Sequence, residues 1–129
     1  NQSGIARGYF TESEMLAVHR RMCELLAGGG ITLDGYYYCP HDSNPGSCNC
    51  RKPLTGMLEM ACRDFAIDRQ RSAMVGDSDC DMQLAANFNL PGLLLLDERN
   101  AANPQLATRA CRDFQEAAEW LLQYAGHRP

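Results

Sequence analysis

Residues 72–88 read SAMVGDSDCDMQLAANF, and this stretch decides the fold class. Its first part, up to Gly76, is a short apolar run of the kind that forms a buried strand. Asp77 ends the run, and apolar residues between Asp81 and Phe88 then recur at helical spacing. A buried strand followed directly by a helix is the repeating unit of α/β proteins. The stretch therefore predicts an α/β fold with a mostly parallel sheet.

Strand and helix patterns alternate along the rest of the chain. A helix is expected to begin at Thr11, which can form a capping box with Glu14, and to end at the glycines at 28–30. The other expected elements are a strand over 35–39, a helix over 57–68, a strand over 93–96 and a helix over 113–124. Continuous apolar strands imply helices on both faces, so we expect a Rossmann-like three-layer sandwich formed by one domain over residues 1–129.

Composition excludes several classes of partner. The net charge is −4 and no block of Lys or Arg occurs, so we expect neither nucleic acid nor a membrane surface as a partner. The apolar run at 93–96 is far shorter than the roughly 20 residues that cross a bilayer. The first residues are polar, with no leader pattern and no Met, so we expect the chain to continue upstream. Seven cysteines without a disulfide framework favour a reducing, cytoplasmic location.

Residues 39–52 read CPHDSNPGSCNCRK and form the most unusual segment. The segment holds two pairs of soft ligands with one residue between the members of each pair, Cys39 with His41 and Cys48 with Cys50. Side chains spaced in this way point to the same side of an extended backbone, and the intervening Pro-Gly can turn the chain back. The segment therefore predicts a closed, tetrahedral structural zinc site. The alternatives are an ordinary polar loop or a disulfide pair.

Two adjacent cations, Arg51 and Lys52, follow the last of these ligands. A rigid metal loop would fix the direction of both side chains. Arg offers a planar fork of donors and Lys a compact charge, so the pair is expected to bind an oxyanion or phosphate. The alternative is a solvated pair of surface cations.

A carboxylate at the end of the strand in 72–76 suggests a second metal site. Asp77 follows Gly76 at the carboxyl end of a strand in a parallel sheet, where ligands of α/β proteins bind. A hard oxygen ligand there suits Mg²⁺ held together with a substrate phosphate. Asp79 and Asp81 have the alternative interpretation of an N-cap and a first-turn residue of the following helix.

Three motifs in this order resemble those of the haloacid-dehalogenase superfamily of phosphatases: NQSGIARG at 1–8, the zinc loop with Arg-Lys-Pro, and MVGDSDCDMQLA at 74–85. More narrowly they resemble the group that hydrolyses D-glycero-D-manno-heptose 1,7-bisphosphate, with histidinol-phosphate phosphatases as close relatives. The resemblance covers about residues 1–97. It implies Mg²⁺ and Zn²⁺ as cofactors and a small phosphorylated sugar or metabolite as the partner of a monomeric enzyme.

The resemblance also implies a role for each matching residue. Asn1, Gln2, Ser3 and Ser78 would contact substrate, although the heptose enzymes commonly have Lys where this chain has Ser78. Arg51 would recognise substrate and Lys52 would stabilise the transferring phosphoryl group. Asp77 would bind Mg²⁺, and Cys39, His41, Cys48 and Cys50 would bind zinc.

The expected reaction is removal of the 7-phosphate through an aspartyl-phosphate, in lipopolysaccharide heptose biosynthesis. The family's nucleophile is the first Asp of an Asp-x-Asp motif on an N-terminal strand, which we expect upstream of Asn1. The chain from Asn1 onward thus lacks the nucleophile and the first strand. A histidinol-phosphate phosphatase, or a non-catalytic binding domain stabilised by zinc, is the alternative.

Overall fold

The computed structural model describes residues 1–44, 46–99 and 101–126. The chain divides into two compact units, Asn1–Arg51 and Lys52–Pro129, called unit 1 and unit 2 below. Within the described ranges, no helix combines the length and apolarity needed to cross a membrane.

Unit 1 contains helix α1, Glu12–Gly28. The predicted capping box is confirmed, because Thr11 Oγ1 accepts from the Glu14 N–H at 3.2 Å and the Glu14 carboxylate accepts from the Thr11 N–H at 2.7 Å. No residue of α1 is buried, and Val18 on its apolar face is 72% exposed. Residues 1–44 and 46–51 include no second helix or strand that could cover this face.

The predicted strand over 35–39 does not form. These residues are not part of any sheet, because the described residues of unit 1 offer no strand with which to pair. The Cys39 carbonyl instead accepts one backbone bond, from the Gln2 N–H at 2.8 Å. The aromatic side chains that indicated a strand pack against a helix, with Tyr36 stacked on His19 of α1 at 3.4 Å between ring centroids.

Unit 2 carries the sheet and the remaining helices. Its elements are α2 (Gly56–Asp64), β1 (Met74–Gly76), α3 (Asp79–Asn87), β2 (Gly92–Leu95), β3 (Arg109–Cys111) and α4 (Phe114–Gly126), with 3₁₀ turns at Arg69–Arg71 and Pro104–Leu106. The sequence predicted all of these helices and two of the strands, with small differences at their ends. It missed β3, since three residues are too few to show an alternating pattern.

The sheet is parallel throughout, in the order β1-β2-β3. Helix α3 packs on β1 and β2, and α4 packs on β2 and β3. Gly92 of β2 lies against Met82 and Ala85 of α3, whereas the next residue, Leu93, packs in a core with Ala117 of α4. Successive strand residues point to opposite faces, so the two helices cover opposite sides of the sheet. The predicted three-layer α/β architecture is confirmed.

Helix α4 buries the face that its sequence predicted, except at its start. Ala117 is buried and Leu121 packs against the core. Phe114 was expected on the same apolar side but is 74% exposed. As the first residue of α4, it lies beside the carboxyl ends of the strands and lines an open cavity there.

Candidate functional site

The carboxyl ends of the three strands meet at one edge of the sheet, because the strands are parallel. A cavity of about 480 Å³ opens at this edge, lined by residues that follow each strand, including Asp77, Asp97 and Asp113. Asp77 itself is exposed directly after β1. The structure thus puts the predicted magnesium ligand at the edge where ligands of α/β proteins bind.

A buried carboxylate, Asp81, connects the residues around this edge. Asp81 is 3% exposed and its Oδ1 accepts a 2.5 Å hydrogen bond from Lys52 Nζ. Its Oδ2 accepts from Ser78 Oγ at 2.6 Å and from the Asp77 N–H at 3.3 Å. Burial alone would raise the pKa of Asp81, but the Lys52 ammonium and the Ser78 hydroxyl outweigh it and hold the pKa below its usual value. Asp81 is therefore ionised and paired with Lys52.

Gly76 allows the close approach that this arrangement needs. A Cβ at position 76 would lie 2.4 Å from the Asp81 Cβ, far inside contact distance. Only a residue without a side chain lets the first turn of α3 lie so close to the end of β1. The Asp81 side chain that packs against position 76 thus explains why a glycine precedes Asp77.

The sequence did not assign Asp81 to the site. The alternative interpretation is confirmed for Asp81, which lies in the first turn of α3, but the N-cap is Ser78 and Asp79 lies in the first turn as well. Asp79 accepts from the Asn103 N–H at 2.7 Å, whereas Asp81 pairs with Lys52. The sequence shows that Lys52 is the only lysine, but the burial of its ammonium, which calls for an anionic partner, is seen only in the structure.

The four predicted zinc ligands converge in unit 1. One ligand atom from each of Cys39, His41, Cys48 and Cys50 lies within 4.8 Å of all the others. The Cys50 Sγ is 3.3 Å from His41 Nδ1, and the Cys39 and Cys48 sulfurs are 3.6 Å apart. Tetrahedral zinc with bonds of about 2.0–2.3 Å needs ligand atoms about 3.5–3.8 Å apart, so the cluster fits the metal. All seven cysteines are free, which contradicts the disulfide alternative.

Burial opposes ionisation of the Cys48 and Cys50 thiols. At Cys50 it raises the pKa to about 12, together with the neighbouring sulfurs of Cys39 and Cys48. At Cys48 the backbone N–H groups of Arg51 and Cys50 outweigh burial and lower the pKa to about 6. A soft divalent cation would stabilise all three thiols as thiolates, which is the form that ligates.

Hydrogen bonds connect the loop of the cluster to the turn at residues 1–8. The Gln2 N–H donates to the Cys39 carbonyl, and Arg7 donates to Ser43 Oγ at 2.8 Å. The turn closes on itself through the Arg7 N–H, which donates to the Ser3 carbonyl at 3.1 Å. The predicted substrate contacts Asn1, Gln2 and Ser3 therefore lie in a turn bonded to the first ligand residue. Of the loop residues, Pro45 lies outside the described residues.

Arg51, which ends unit 1, has an unusual environment. Its Nη1 is the one buried side-chain nitrogen or oxygen without a hydrogen-bond partner in the part of the chain that the structure describes. A buried donor without an acceptor is costly, so this guanidinium nitrogen is suited to an acceptor that the described residues do not supply. An anionic ligand is one such acceptor.

The strand-end carboxylates, the single lysine and the parallel sheet all lie in unit 2, and most of unit 2 matches one family of hydrolases. The HAD-hydrolase-like family matches residues 49–117, a range that includes Lys52, Asp77 and Asp81. The chain belongs to this family, and the resemblance stated from its motifs is confirmed.

Its relatives narrow the comparison. The chain is 39% identical over 135 residues to D-glycero-beta-D-manno-heptose-1,7-bisphosphate 7-phosphatase of Yersinia pestis, with 100% of the chain and 68% of the relative covered. It is 48% identical over 101 residues to the enzyme of the same name from Pasteurella multocida, with 74% of the chain and 55% of the relative covered. The chain thus spans about half to two thirds of the length of such curated relatives.

A solved structure of a protein with the same type of name also resembles this chain. The D,D-heptose 1,7-bisphosphate phosphatase from B. bronchiseptica, complexed with magnesium and phosphate, superimposes with a TM-score of 0.81 at 36% identity. The match covers 95% of this chain and 71% of that one.

Proposed function

We propose that this chain is part of a magnesium-dependent phosphomonoester hydrolase that removes the 7-phosphate of D-glycero-D-manno-heptose 1,7-bisphosphate. The observation that carries the proposal is the buried Lys52–Asp81 pair beside the exposed Asp77, at the carboxyl edge of a parallel sheet. The printed names of the relatives and the magnesium and phosphate of the solved neighbour support it.

In this proposal Asp77 is a magnesium ligand. Its carboxylate is a hard oxygen donor at the strand end, and it is exposed where a metal and a phosphate could reach it. When bound, magnesium would supply positive charge to the phosphoryl oxygens. The nucleophilic carboxylate, which would form the aspartyl-phosphate, is proposed to lie upstream of Asn1.

The other predicted residues bind and orient the substrate. Lys52 is held by Asp81 and would neutralise charge that develops on the phosphoryl group. The buried Nη1 of Arg51 would donate to the substrate's anionic oxygens. The turn of Asn1, Gln2 and Ser3 would offer polar contacts to the sugar, and Ser78 was assigned to the same set from the sequence.

The decisive test is a comparison of substrates with the protein that includes this chain and its upstream residues. Phosphate release would be measured from the heptose 1,7-bisphosphate and from histidinol phosphate, each with and without Mg²⁺. We expect hydrolysis of the bisphosphate that stops when EDTA removes magnesium. A clear preference for histidinol phosphate would make that compound the proposed substrate. If neither compound is hydrolysed, the non-catalytic binding domain is favoured.

We propose that the cluster of Cys39, His41, Cys48 and Cys50 holds one structural zinc. Support comes from the distances among the four ligand atoms and from the absence of disulfides among the cysteines. With four protein ligands the site is closed, so this metal would stabilise the loop and not bind a reacting water.

Purified protein is expected to contain about one zinc per chain. Elemental analysis under reducing conditions measures this directly. Cys50→Ser should lose the metal, while Cys62→Ser, in α2 and outside the cluster, should keep it. Protein that is folded but free of zinc would contradict the assignment.

We propose that the protein acts in the cytoplasm. Cysteines in the free state suit a reducing compartment such as the cytoplasm, and the relatives' names suit lipopolysaccharide heptose synthesis. We also propose a monomer in which residues 1–129 belong to one catalytic domain. The 95% coverage of this chain by the solved neighbour supports that boundary.

A further inference from the structure

Ser78 makes short contacts within the chain. Its Oγ donates to Asp81 Oδ2 at 2.6 Å, and Cys80 Sγ lies 3.4 Å from Ser78 Oγ. A serine hydroxyl has a single proton to donate. In this geometry that proton is committed to Asp81, so Ser78 has none left to donate to a phosphate oxygen.

The bond matters because of what Asp81 does with its other oxygen. Oδ1 holds Lys52, and the side chain of Asp81 is only 4% exposed, so water does not compete for it. Ser78 Oγ donates to Oδ2 at 2.6 Å and is closer to it than the Asp77 N–H at 3.3 Å. A short O–H···O⁻ bond to a buried carboxylate is among the stronger hydrogen bonds in proteins. Ser78 therefore fixes the rotation of the Asp81 carboxylate, whose other oxygen accepts the hydrogen bond from Lys52.

We infer that Ser78 is a positioning residue for Lys52, acting through Asp81, and does not donate a hydrogen bond to the substrate's phosphate. The inference rests on the proposed function only where Lys52 is said to act on phosphate. It gives the residue a different role from the one implied by its position in the family motif. The serine brings a single hydrogen-bond donor to the Asp81 carboxylate.

Three variants test the inference. Ser78→Ala removes the hydroxyl, and Ser78→Thr keeps it. Ser72→Ala is the matched control, because Ser72 is also partly buried, lies just before β1 and donates one bond, to the Asp68 carbonyl at 2.7 Å. All three are made in the protein that includes the upstream residues.

The first measurement does not depend on activity. An amine-reactive reagent labels Lys52, and mass spectrometry of the peptide that contains it gives the rate. Loss of the Ser78 hydroxyl should loosen Asp81 and make Lys52 more accessible, so Ser78→Ala should be labelled about threefold to tenfold faster. Ser78→Thr and Ser72→Ala should be labelled at nearly the parent rate.

The second measurement separates positioning from binding. For Ser78→Ala we expect kcat to fall about 10- to 100-fold, since a displaced catalytic cation loses much of its effect, with KM changed less than about twofold. Ser78→Thr should recover most of kcat. A rise in KM at constant kcat would instead assign Ser78 to substrate binding and overturn the inference.

The two measurements also separate this inference from the proposed function. If the parent protein hydrolyses no phosphomonoester, the proposed function fails, and the labelling rates alone then decide the role of Ser78. Equal labelling of Lys52 in the parent and in Ser78→Ala would overturn the inference even if the enzyme is fully active.

Discussion

Asp77→Asn is expected to lower magnesium-dependent turnover by about 1,000-fold or more. The substitution replaces a charged oxygen ligand with a neutral amide of the same shape. The Asp77 side chain is exposed, and its backbone N–H would still donate to Asp81, so the fold should be unaffected. Steady-state phosphate release at saturating Mg²⁺ is the measurement, with zinc content and thermal melting recorded on the same sample.

The matched control for this variant is Asp68→Asn. Asp68 caps the turn Arg69–Arg71 before β1, through an oxygen that accepts from the Gln70 N–H at 2.9 Å. Asparagine caps equally well, so this variant should keep both stability and turnover. If Asp77→Asn retains turnover close to that of Asp68→Asn, then Asp77 is not a metal ligand.

Lys52→Ala should lower kcat by about 100- to 1,000-fold, and Cys50→Ser should have nearly as large an effect. Lys52 is the cation proposed to act on the phosphoryl group. Cys50 is not proposed to touch phosphate, but it is a proposed zinc ligand one residue before Arg51, so loss of the metal would free the backbone that directs both cations. Arg51→Ala should differ, with a raised KM and weaker discrimination between substrates.

A control for stability is needed here, because Lys52→Ala leaves Asp81 buried without its cation, which is destabilising. Thermal melting measures this loss of stability. The turnover rate is measured at a low temperature at which the variant is fully folded, so that it reports on catalysis alone. Cys62→Ser provides a cysteine variant outside the cluster. Should Cys50→Ser lose zinc and still turn over at the parent rate, the metal contributes stability alone.

Local patterns predicted those parts of the fold that depend on neighbours in sequence. The capping box at Thr11 and the strand-turn-helix around Asp77 need only a few consecutive residues, and both are present. The cysteine cluster was predictable for the same reason, since the spacing within each ligand pair sets its direction. The error at 35–39 has the opposite cause, because a strand exists only where another strand pairs with it.

The role of Asp81 could not be read from local pattern either. The carboxylate of Asp81, in the first turn of a helix, is already explained by the helix dipole, so nothing in the sequence was a reason to look for a cationic partner. What makes it part of the site is a lysine that precedes it by 29 residues and a glycine whose missing side chain leaves it room. Both depend on how β1, α3 and the segment at Lys52 pack, which single residues do not reveal.

The bond between the Gln2 N–H and the Cys39 carbonyl has a consequence for how this site can evolve. Because both partners are backbone atoms, the bond is indifferent to the side chain at position 2. If Gln2 contacts the sugar as proposed, substitutions there other than Pro would alter which sugar is preferred while the backbone bond to the ligand loop persists. Recognition and the proposed metal-bound loop would then be separable at this position, and a change of substrate need not begin with a loss of stability.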